Sequence, residues 1–119
     1  MPLSGKRGAM EIKLEELANV TIINVKGEFH VGNVGKFEEV WHAQVEKKPK
    51  AIAINCKELE YIDSSAIGTL VKFLNNAMSK GIKLQFFDLN PSIQNIFKTA
   101  RLDNFFTITT REKLEKEFL

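Results

Sequence analysis

The chain holds one cysteine, Cys56, in 119 residues. A lone cysteine forms no internal disulfide. No second Cys and no paired His stands near it, so neither a disulfide framework nor a zinc site is supported. A reducing, cytoplasmic setting fits this usage. An excess of charge of one sign is also lacking. Seventeen Lys and Arg against 15 Asp and Glu leave +2, too little to argue for nucleic acid or an anionic membrane as partner. No apolar run approaches the ~20 residues that span a bilayer, so no membrane insertion is expected. Met1 to Ala9 contains glycine and basic residues but no apolar core, unlike a secretory signal. Histidines number two, His30 and His42, which leaves a nucleophilic serine little choice of base. A Gly-rich phosphate loop is absent, and an NTPase is not supported. The sequence shows no cofactor motif, no repeat and no low-complexity tract.

What is present suits one globular domain: 44% hydrophobic and 27% charged residues. Residues 1–9 read as a flexible leader and residues 10–119 as the domain, with Met10 an alternative start. Glu11 to Glu16 alternates and reads as an edge strand. Val20 to Val25 is β-branched and reads as its hairpin partner, ended by Gly27. A helix follows from about Asn33 to Glu46, with Val34, Phe37, Trp41 and Val45 on its buried stripe and His42 on its polar side. Lys47-Lys48-Pro49-Lys50 is a solvated turn.

Ala51 to Cys56 is a short, nearly continuous apolar run that suits a central strand. Lys57 to Tyr61 connects it to the next helix. That helix extends to about Ser79, with apolar residues at Ile67, Leu70, Val71, Leu74 and Met78 and a stop at Lys80-Gly81. Ile82 to Phe87 is a strand. Pro91 marks the entry of a helix whose inner face is Ile93, Ile96, Phe97 and Ala100. Phe105 to Thr109 is a final strand. Thr110 caps a charged terminal helix that docks through Leu114 and Phe118. The order β-β-α-β-α-β-α-β-α predicts an α/β fold: a mixed, mostly parallel sheet with helices packed against it. The functional crevice of such a sheet lies outside the carboxyl ends of its strands.

The stretch Tyr61-Ile62-Asp63-Ser64-Ser65-Ala66-Ile67-Gly68-Thr69-Leu70 falls at that edge. Asp63, Ser64 and Ser65 are residue types that start helices, and a plain helix cap is the simplest account of them. The free N–H groups and dipole of the same helix end also favour an anion. Ser64 lacks the glycine-flanked elbow of hydrolases, and a Ser-dependent hydrolase is an unlikely alternative.

The string Ile62 to Gly68 resembles the Asp-Ser-Ser/Thr-Gly-Leu-Gly signature of STAS-domain anti-sigma factor antagonists. Gly27-Glu28-Phe29-His30 resembles the Gly-Glu-Leu-Asp loop of the same family. Ala66 stands for the family's first glycine and His30 for its aspartate. The resemblance implies a single STAS-like domain over residues 10–119 and a non-enzymatic, phosphorylation-switched binding module. Its phosphate acceptor would be Ser64 and its partner an anti-sigma factor serine kinase, whose capture releases a sigma factor. The partner surface expected comprises Glu28, His30, Asp63, Ser65, Ala66, Ile67, Gly68, Thr69 and Phe73; the helical wheel puts Phe73 at the edge of the core face, where packing on a neighbouring element accounts for it equally well. A charged His30 could contact the phosphate, and an exposed loop histidine with no role is the simpler account of it. Ser64 is taken as the cap residue. The alternative within the family is a subunit of a stress-signalling scaffold or of a lipid-transport complex.

Overall fold

The computed structural model describes residues 8–119. Five strands form one sheet in the order β1-β2-β3-β4-β5. β1 (Met10–Glu16) runs antiparallel to β2 (Val20–Phe29). β3 (Ala51–Ile62), β4 (Lys83–Phe87) and β5 (Thr107–Thr109) continue the sheet in parallel. The helices are α1 (Val34–Glu46), α2 (Ser64–Ser79), α3 (Pro91–Thr99) and α4 (Arg111–Phe118). The mixed α/β sheet expected from the element order is the one observed.

Strand alternation divides the core in two. On one face Ile23, Val25, Ile52, Ile54 and Phe86 meet Phe37 and Trp41 of α1, Leu70 and Phe73 of α2, and Phe97 of α3. On the other, Val20, Ile22, Ala51, Ala53 and Phe87 are covered by Leu114 and Phe118 of α4. The central strands are thus apolar on both sides, which is why they read as continuous runs.

Two strands run past their expected ends. Gly27 does not end β2. It lies inside it at φ +98, where a Cβ would come within 2.2 Å of the Ala9 carbonyl oxygen, and the register against β3 shifts beside it. The position demands glycine because of a bulge rather than a turn. β3 likewise continues through Lys57 to Tyr61, expected as a connector. Its polar half pairs with β2 alone, from Lys26↔Glu58 to Phe29↔Ile62, after β4 has left the sheet at Phe87. The two strands therefore carry a ladder beyond β4, with β1 alongside β2 as far as Gly27, and the Asp63 loop stands at its tip.

The expected leader falls largely in residues 1–7, outside the described residues. Its last two are tied down. The Ala9 carbonyl accepts from Glu28 N at 3.0 Å, and the Gly8 carbonyl meets His30 Nε2 at 2.6 Å.

Candidate functional site

Asp63, not Ser64, caps α2. Its backbone is extended, and one carboxylate oxygen accepts from Ala66 N at 2.8 Å. The other accepts from Val31 N at 3.0 Å, and Asp63 N donates to the Phe29 carbonyl at 3.2 Å. The aspartate thus staples the helix start to the loop that follows β2. Burial raises its pKa, but the backbone donors of Ala66, Val31 and Ser65, with His30 nearby, outweigh that and hold it below the ordinary carboxylate range.

With Asp63 as cap, Ser64 and Ser65 become the first two residues of the helix. Both are exposed, and neither hydroxyl takes a hydrogen bond among the described residues. This corrects the assignment of Ser64 as the cap: aspartate accepts from the first turn with a full negative charge and takes the role first. Ser64 is left with a solvent-facing hydroxyl at the positive end of α2, at the carboxyl edge of the sheet.

The neighbouring loop is built on His30 and Asn33. His30 Nδ1 accepts from Gly32 N at 3.0 Å, so Nε2 carries the proton and donates to the Gly8 carbonyl at 2.6 Å. Asn33 returns its side-chain oxygen to His30 N at 3.0 Å and gives its amide to the Glu28 carbonyl at 2.8 Å. Both ring nitrogens of His30 are engaged by backbone. The expected phosphate contact is corrected accordingly: in this arrangement the imidazole shapes the loop and offers an incoming group no free nitrogen.

Burial trims the expected partner surface further. Ala66 is 0%, Thr69 4% and Phe73 3% exposed. Phe73 stacks on Trp41 with ring centroids 4.5 Å apart and planes 10° from parallel. Thr69 turns its hydroxyl to the Ser65 carbonyl at 3.0 Å. These three are core residues, and the correction follows from helix phase. α2 buries Ala66, Leu70, Phe73 and Ala77, while Met78, expected inside, is 69% exposed. The buried face centres on Ala66, Leu70, Phe73 and Ala77, and Ile67, Val71 and Leu74 lie half-buried at its edge. Ser65 and Gly68 are exposed, and Glu28, Asp63 and Ile67 are half-buried.

Two site neighbours were missed. Val31 is 69% and Tyr61 49% exposed. They flank Asp63 from the β2 loop and the end of β3. The pairing of Val31 with glycine in a short loop was their only sequence signal. His42 is exposed on α1, as expected. Among the described residues no cluster of three metal-ligating side chains forms, and no helix is long and apolar enough to cross a membrane. Burial pushes the Cys56 thiol up to about 12, with Asp88 adding to the effect, so it is no nucleophile.

Fold and site together define a small α/β domain that presents a serine-bearing helix start at the carboxyl edge of a mixed sheet. The STAS domain family model matches residues 11–116, and the chain belongs to that family. Solved structures similar to it include an anti-sigma factor antagonist from Mycobacterium paratuberculosis, 18% identical with a TM-score of 0.78 over 93% of this chain and 95% of that one. The anti-sigma factor antagonist SpoIIAA in its unphosphorylated form is 17% identical, with a TM-score of 0.75 over 90% of this chain and 95% of that one. The phosphorylated form of SpoIIAA, a cell fate determinant of Bacillus, is 16% identical, with a TM-score of 0.69 over 90% and 98%.

Proposed function

We propose that this chain is an anti-sigma factor antagonist of the cytoplasm, switched by phosphorylation of Ser64. Its partner is an anti-sigma factor serine kinase, which it captures when unphosphorylated, releasing a sigma factor. The observation that carries the reading is the exposed, unpartnered Ser64 hydroxyl on the first residue of α2, beside an aspartate already fixed to backbone. A kinase can reach that oxygen without unfolding anything. Transfer of the terminal phosphoryl group of ATP to it, with loss of the hydroxyl proton, adds about −1.5 to −2 charges. The helix dipole tolerates them, and the like charge of Asp63 opposes close packing by a partner. Exposure treats Ser64 and Ser65 alike, and the choice of Ser64 rests on the motif.

A non-enzymatic role is supported by the engagement of both His30 nitrogens with backbone. Ser64 has no hydrogen-bonded base among the described residues. The test is incubation with the anti-sigma kinase and Mg-ATP, followed by phosphopeptide mapping. Phosphate should map to Ser64. Ser64→Ala should bind the kinase unmodified, and Ser64→Asp should bind it poorly. Phosphate on Ser65, or on neither serine, would sink the assignment.

A further inference from the structure

The amino edge of the sheet, at the far end of β3 from Ser64, carries a cationic depression that the switch does not use. The turn between α1 and β3 supplies Lys48 and Lys50, and the turn between α2 and β4 supplies Lys80. The two turns are joined by Lys83 N donating to the Lys50 carbonyl at 3.1 Å. Together they border about 670 Å³, with Pro49 half-buried at its surface, Val45 and Ile82 buried beneath, and Glu46 the one carboxylate in the lining. Neighbouring Lys47 and Lys83 are paired with Glu16 and Glu117. Lys48, Lys50 and Lys80 have no acidic partner among the described residues.

The ordinary explanation for such lysines is that they neutralise helix C-termini. Here backbone already does that work. Lys47 N and Lys48 N take the Gln44 and Val45 carbonyls, and Lys80 N, Gly81 N and Ile82 N take the last carbonyls of α2. None of the three ammonium groups caps a carbonyl among the described residues.

Lys48 is also held at φ 54, a left-handed conformation. At the matching place after α2 the chain uses Gly81, at φ 71. The backbone thus favours glycine where a lysine stands; Arg101 after α3 takes the same conformation at φ 60, so the conformation by itself assigns the side chain no use.

We propose that this depression docks an acidic peptide segment of a partner protein, its apolar anchor against Pro49 and its carboxylates on Lys48, Lys50 and Lys80. A concave site with Pro49 set between lysines fits a side chain flanked by acids better than it fits a flat bilayer or the regular phosphates of a duplex. The 12 residues of β3 put it roughly 40 Å from the phosphoacceptor at about 3.3 Å per residue. That is several Debye lengths at physiological salt, so docking here is indifferent to the charge on Ser64.

The test is fluorescence anisotropy at low salt with a labelled peptide of four aspartates around one phenylalanine, with NMR shifts mapping the contact. The peptide should perturb residues 45–51 and 79–83, and Ser64→Glu should leave its affinity within about twofold. The triple variant Lys48→Glu, Lys50→Glu, Lys80→Glu should lose at least about tenfold. Lys48→Gly is the discriminating variant: affinity should fall severalfold while the melting temperature holds or rises, because glycine relieves the strain. Equal binding by the triple variant would overturn the proposal. So would shifts confined to the Ser64 end, or binding of phosphatidylserine vesicles or duplex DNA with none of the peptide.

Discussion

Asp63 and Ser64 are adjacent and do opposite things. Asp63 holds one backbone donor from the first turn of α2 and one from the loop after β2, and among the described residues Ser64 holds none. Asp63→Ala should therefore destabilise the fold by about 1–2 kcal/mol, the range of a lost cap. Ser64→Ala should stay within about 0.5 kcal/mol of the parent, as surface substitutions do. Urea denaturation of both variants decides the assignment, and equal losses would return the cap to Ser64. The pH dependence has a definite sign. Asp63 has a lowered folded pKa, so its contribution is present above the unfolded value near ~3.9 and is lost as pH falls through the folded value. The stability gap between the parent and Asp63→Asn should close on acidification. A gap constant down to pH 2 would show that the charge on Asp63 is irrelevant. Phe73 belongs to the same scale. Its ring lies against Trp41 and Phe37, so Phe73→Ala should cost about 3–5 kcal/mol. A near-neutral melting shift would restore it as a surface contact.

At the scale of elements, much of this fold was legible and the exceptions share a cause. Hydrophobic period and turn residues placed every strand and α-helix, though not the 3-10 turn Val31–Asn33, and Thr110 was read correctly as the α4 cap. What local pattern could not show was how far a strand is carried by its neighbour. The polar run Lys57 to Tyr61 looks like a loop, and it is a strand because the end of β2 pairs with it. Gly27 looks like a terminator, and it is a bulge because Ala9 crosses over it. The phase of α2 depended on Trp41, which is 32 residues before Phe73 in the sequence.

Asn90 shows the same dependence. Its oxygen caps α3 through Ile93 N at 3.1 Å. Its amide donates to the carbonyls of Cys56 at 3.0 Å, Lys57 at 3.2 Å and Leu59 at 2.6 Å, where β3 has lost β4 as a partner. Asn90→Asp keeps the cap and replaces the donor with a carboxylate facing three carbonyls. It should destabilise at least as much as Asn90→Ala, by about 1–3 kcal/mol or more. If the aspartate variant were as stable as the parent, the cap alone would matter.

At the scale of the molecule, β3 joins everything. It pairs on both sides, carries the cationic turn at its start and the Asp63 loop at its end, and has Cys56 at its centre. That thiol is 1% exposed and its pKa is pushed up to about 12. At pH 8 the native thiol is far less ionised than a free cysteine of pKa ~8.5, of which roughly a quarter is thiolate. Burial then bars the reagent from what thiolate exists. Labelling by an aromatic disulfide therefore requires β3 to open, and its rate measures that opening. If the domain unfolds as one unit, labelling of the native protein should be slower than that of the denatured chain by the global unfolding constant. Added urea should speed it with the slope of equilibrium unfolding, and Phe73→Ala should speed it by the factor its stability loss predicts. Fast labelling with the far-ultraviolet circular dichroism intact would show instead that the ladder beyond β4 opens on its own. The Asp63 loop would then sit on a hinge rather than on a rigid strand.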